Sequence, residues 1–87
     1  MYVTKAKKNM VYKTLMLYRE TANSPQKQEY EVRTIVFGEK KRKGQEEAPL
    51  IRARLITYQE AGTKEPIRLL TNDFDSEAAD IALVYTH

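Results

Sequence analysis

The 87-residue chain contains no cysteine and only one histidine, His87. The first absence excludes disulfides and thiolate metal sites, and the second excludes the usual zinc constellations. No uncharged apolar stretch approaches the roughly 20 residues of a membrane span. The opening MYVTKAKKN lacks the apolar core of a secretory signal, so a cytoplasmic location is expected. Glycine and proline are scarce, three of each, and all six fall in polar connectors. What remains is 41% apolar and 31% charged, the composition of a soluble globular segment. The length allows one small domain with a limited core. A net charge of +3 and a pI near 9.2 lean weakly toward a polyanionic partner.

Four stretches have strand character: Met10–Tyr18 (MVYKTLMLY), Tyr30–Phe37 (YEVRTIVF), Leu50–Tyr58 (LIRARLITY) and Ile67–Thr71 (IRLLT). All are rich in the β-branched and aromatic residues that pack on a pleated surface. In the second, Tyr30, Val32, Thr34 and Val36 alternate with Glu31 and Arg33. In the third, Ile51, Ala53 and Leu55 alternate with Arg52 and Arg54. The connectors TANSPQKQE, GEKKRKGQEEAP and QEAGTKEP hold turn residues and have no room for a crossover helix. An antiparallel meander is therefore expected. The opening YVTKA reads as a short fifth strand.

After Thr71 the period changes. Asn72, Asp73, Asp75 and Ser76 offer side-chain oxygens to the free N–H groups of a helix start, and Asp75 and Glu77 suit its positive end. Ala78, Ile81, Ala82 and Tyr85 then form one stripe of a helix with no glycine or proline stop before His87. The expected fold is α+β, mainly β: an antiparallel sheet of four to five strands with one C-terminal helix.

The strand end LLTNDFD followed by the helix AADIALVYTH resembles a segment of bacterial insertion-sequence DDE transposases with the signature Tyr-x-x-Arg-x-x-x-Glu-x-x-x-x-x-x-Lys. In that family a Leu-Thr-Asn strand precedes an Ile-Ala-x-x-Tyr helix, here Leu70, Thr71, Asn72, Ile81, Ala82 and Tyr85. MYVTKAKKN is similar to the Phe-Val-Thr-Arg-Ala-Lys stretch after the family's second catalytic aspartate. The resemblance implies an internal fragment lying between that aspartate and the catalytic glutamate. On that view residues 1–8 are a core strand and basic turn, and 9–66 a β-rich insertion in a ribonuclease-H-like core. Residues 67–87 are then a core strand and the start of the helix leading to the glutamate. It further implies DNA transposition by the parent protein with Mg2+ held on three carboxylates that lie outside this chain. No cofactor is expected on the fragment itself, and its role is that of scaffold and DNA-phosphate contact region.

Candidate DNA contacts follow. Tyr85 opens the family signature, where a phenol can donate to a phosphate, although it also completes an apolar stripe. Arg33, Arg52 and Arg54 are expected to share one basic sheet face, which either lies along DNA or faces water. Lys7 and Lys8, with Lys5, form a second cluster. Lys41 and Arg42 sit in the basic run Lys40–Lys43, which fits either phosphate contact or a solvated hairpin tip. The expected partner is transposon-end DNA through the parent, and the isolated piece is expected either to self-associate through the helix and an unpaired edge strand or to have low stability. Neither a membrane nor a small-molecule substrate is expected. The alternative is a stand-alone small β-rich protein-interaction domain with no DNA role.

Overall fold

The computed structural model describes residues 2–22, 27–38, 50–60 and 62–86. Its elements are β1 (Val3–Lys5), β2 (Lys13–Thr21), β3 (Glu29–Gly38), β4 (Leu50–Tyr58), β5 (Ile67–Thr71) and α1 (Ala78–Thr86). The strands form one antiparallel sheet in the order β1-β5-β4-β3-β2. The fold is mainly β with a single helix in the described residues, as the alternation and the helical stripe predict. Among those residues no helix is long and apolar enough to cross a membrane.

Register decides which side chains meet. In the β3–β4 pair Val32 faces Ile56, Thr34 faces Arg54 and Val36 faces Arg52, whereas Arg33 faces Leu55 and Ile35 faces Ala53. Directly opposed residues share a face, so Arg52 and Arg54 lie on one side and Arg33 on the other. The single basic face expected from Arg33, Arg52 and Arg54 is therefore not formed. Alternation within each strand was legible; the pairing register, which couples odd to odd positions, was not.

Both faces are covered, each by a different device. On one, Ala78, Ile81 and Ala82 of α1 pack with Tyr30, Val32, Ile56, Tyr58 and Leu69, and the Tyr30 and Tyr58 rings meet at 5.1 Å. On the other, Ile35, Ala53 and Leu55 are packed by Ala6, Met10 and Tyr12. Those last residues belong to the β1–β2 connection. β1 and β2 are opposite edges, about four strand spacings or ~19 Å apart, and residues 6–12 bridge that width across the sheet. The second strand accordingly begins at Lys13 instead of Met10 and runs on to Thr21. Met10 and Tyr12 have strand-like side chains because they cover an apolar face, not because they join the ladder. An extra residue, Leu15, bulges β2 between Thr14 and Met16.

Candidate functional site

Arg54 stands on the face of β4 toward α1 and is only 4% exposed. A guanidinium there needs partners for its fixed fork of donors. Its Nη1 donates to the carbonyl of Ser76. Its Nη2 donates to the Tyr18 hydroxyl at 2.5 Å and to Glu20 Oε2 at 2.8 Å. Tyr18 and Glu20 come from β2, two strands away, on the same face as Arg54 because Tyr18 faces Val32 and Glu20 faces Tyr30. The other oxygen of Glu20, Oε1, accepts the Ala78 N–H at 3.2 Å, the first amide of α1. One carboxylate thus neutralises a buried cation and caps a helix, where the dipole also favours negative charge.

The turn before α1 is held from within as well. Asp73 Oδ1 accepts the N–H groups of Asp75 and Ser76, each at 3.0 Å. Hydrogen bonds from Ser76, side chain first and backbone second, hold the Asp73 carboxyl below its ordinary value, with the Asp75 N–H adding to them. Thr71 and Asn72 do something the capping pattern did not foresee. The Thr71 hydroxyl donates to the Tyr2 carbonyl at 2.6 Å, and the Tyr2 N–H donates to Asn72 Oδ1 at 3.0 Å. Together they clasp the strand just before β1.

The sequence-predicted residues are scattered by this arrangement. Arg54 is occupied internally and its guanidinium is not presented to a phosphate. Arg33 is half-buried on the opposite face, donating to Glu31 at 2.7 Å and to the Thr14 hydroxyl at 3.3 Å. Arg52 is exposed, with its guanidinium 5.9 Å from the centre of the Phe74 ring. Lys7 is exposed, and Lys8 reaches Glu65 at 3.5 Å in a solvated pair worth little. Lys41 and Arg42 lie outside the described residues. Tyr85 ends the stripe of α1 at 41% exposure, whereas Ala78, Ile81 and Ala82 are buried. It borders an open groove of about 380 Å³ shared with Tyr2, Asp73, Asp80 and Val84.

One basic grouping does form. Lys5, Lys8 and Arg68 line one cleft of about 690 Å³ with Glu65, although Lys5 opposes Leu69 on the α1 side while Arg68 stands on the other side of the sheet and donates to the Tyr12 hydroxyl at 3.5 Å. Arg68 was missed by sequence reasoning; its only signal was its alternation against Ile67 and Leu69. Glu20 was missed too, since nothing links a strand carboxylate to Arg54 until β2, β3 and β4 are in register. Among the described residues no three acidic or histidine side chains group to hold a metal ion. Compared with family models, curated proteins and solved structures, the chain matches none of them.

Proposed function

We propose that this chain is a β-rich portion of a DNA transposase that acts as scaffold and contacts the DNA backbone, with the metal-dependent chemistry supplied by carboxylates outside it. One observation carries the reading. The two stretches that bear the family resemblance, YVTKA and LLTND, lie side by side, with Val3 facing Thr71, Thr4 facing Leu70 and Lys5 facing Leu69. Tyr2 and Thr71, 69 positions apart, are joined by a hydrogen bond, and Asn72 closes the same clasp. An insertion set into another fold must leave and re-enter at neighbouring points, and β1 and β5 meet that requirement. The Thr-Asn pair of the motif then has a physical role, since it fastens the two crossings together.

In this reading the phosphate contacts come from the cleft beside β1 lined by Lys5, Lys8 and Arg68, with Lys7 and Arg52 as outlying contributors. Such contacts position DNA without reading sequence and weaken steeply with salt. Fluorescence anisotropy with mixed-sequence duplex DNA tests this. The log–log salt slope should be about −0.9 per phosphate engaged, and Arg68→Ala or Lys5→Ala should each lower its magnitude by about one. Failure to bind at low salt, or a slope unmoved by both variants, removes the phosphate role. The transposase assignment has its own test in the coding DNA beyond His87. It requires an arginine next, then glutamate and lysine at the signature spacing.

A further inference from the structure

β2 is the outer strand at the edge opposite β1, and among the described residues nothing pairs with its free side. It is nine residues long and carries four consecutive large apolar side chains in water: Leu15 at 52% exposure, Met16 at 59%, Leu17 at 52% and Tyr18 at 39%. Edges are protected by shortness, proline, bulges or inward charge; here the bulge lies at Leu15 and the inward Glu20 near the strand's end, and Met16, Leu17 and Tyr18 between them carry neither. Met16, Tyr18 and Glu20 stand on the α1 side, opposite Thr34, Val32 and Tyr30. Leu17 and Arg19 stand on the other side, opposite Arg33 and Glu31.

We propose that β2 pairs antiparallel with β2 of a second copy of this chain, about a two-fold axis perpendicular to the sheet at Leu17. The sequence is self-complementary in that register. Leu17 meets Leu17 of the second copy, and Met16 meets its Tyr18 on the matching face. The bulged Leu15 then shifts the pairing by one step, so Thr14 meets Arg19 and Lys13 meets Glu20. The ladder has an apolar centre flanked at both ends by opposite charges, and the faces agree throughout. Centring on Tyr18 instead sets Leu17 against Arg19 and Met16 against Glu20. Centring on Met16 sets Tyr18 against Lys13. Glu20 can accept a new donor, because Arg54 and Ala78 use only part of its acceptor capacity. The pairing does not depend on the DNA reading.

Pairing along one nine-residue strand is expected to bury less than the ~1,200 Å² of stable complexes, so weak association is expected, in the micromolar range or above. Sedimentation equilibrium at rising concentration should show monomer and dimer only. Leu17→Lys places two ammonium groups face to face and should weaken dimerisation at least ~10-fold, whereas Val84→Lys on exposed α1 leaves it unchanged. Because the chain has no cysteine, Leu17→Cys gives a second readout that needs no disruption. Facing positions place Cα atoms about 4.5–5.5 Å apart, within disulfide reach. Leu17→Cys should therefore oxidise to a covalent dimer at least ~10-fold faster than Val84→Cys. A chain that stays monomeric at about 1 mM, equal oxidation rates for the two cysteine variants, or a folded Leu17→Lys variant that still dimerises would overturn the proposal.

Discussion

Replacing Glu20 with alanine tests the arrangement on which the helix depends. Two losses follow from the geometry. The Ala78 N–H loses its acceptor, which costs about 1 kcal/mol for a helix start. Arg54 loses a charge-assisted bond at 2.8 Å, which costs about 1.5–3 kcal/mol. At 4% exposure Arg54 cannot recover that bond from bulk water. The Glu20 side chain itself is 24% exposed, so water enters part of its place. The total therefore falls short of the ~3–5 kcal/mol for breaking a fully buried pair. An expected loss of about 3 kcal/mol is a large fraction of the stability of a chain this size, and it lowers Tm by roughly 12–24 °C.

Thermal and urea unfolding followed by circular dichroism measure that loss, with an unchanged urea slope showing that the native surface is retained. Glu20→Gln keeps an acceptor for Ala78 and removes only the charge, so it should recover about a third of the loss. Arg54→Met on the Glu20→Ala background removes the stranded cation, and the double variant should be more stable than Glu20→Ala alone. A Glu20→Ala loss under about 0.5 kcal/mol, or a double variant that is simply additive, would refute the claim that Glu20 is what permits Arg54 to be buried.

Ile56→Ala empties a fully buried position beneath α1 and should cost about 2–5 kcal/mol, whereas Val84→Ala on the exposed end of α1 should stay within about 0.5 kcal/mol in the same unfolding assay. Burial pushes the Tyr30 and Tyr58 phenols above 10.0, and the Glu60 carboxylate raises Tyr58 further. The native state favours the neutral phenol, so this stability is complete below pH 10 and is lost as pH rises through the native values. Tyrosinate absorbance should lag behind free tyrosine, and Tyr58→Phe should flatten the alkaline stability limb. Asp73 behaves in the opposite sense, because its carboxyl titrates below 3.8 in the native state. Its contribution is present above that ordinary value and is lost as pH falls through the native one, so Asp73→Asn should shallow the acid limb of the stability curve.

The sheet was legible where local chemistry is repetitive. Leu50–Tyr58 and Ile67–Thr71 coincide with β4 and β5, and Tyr30–Phe37 lies within one residue of β3 at each end. Each combines alternation with turn residues at its limits, including Gly62, which supplies a φ of 85° between β4 and β5. The second strand was displaced because Met10 and Tyr12 satisfy the same composition while serving as cover for Ile35, Ala53 and Leu55. The helix start was legible in kind but not in partner. Asp73 does accept turn amides, yet Asn72 turns back to Tyr2 and the first helical amide is capped from β2. Long-range partners of that sort have no sequence spacing to betray them.

The arginines show why alternation alone misplaced the candidate site. A strand pattern of apolar and charged residues is read as one dry face and one wet face, and that holds when a single layer covers the sheet. Here α1 covers one face and the 6–12 crossing covers the other, so a charge on either face can be enclosed. Arg54 is enclosed because the turn before α1 passes over it and presents the Ser76 carbonyl, while Tyr18 and Glu20 close in from β2. Arg52, two residues earlier on the same face, stays exposed with its guanidinium over the Phe74 ring. The difference between the two is position under the helix entry rather than residue type. A basic surface for DNA must therefore be sought where cations gather beyond the covering layers. Lys5 and Lys8, both exposed beside the β1 edge, satisfy that condition, whereas Arg68 is half-buried and donates to Tyr12 of the crossing.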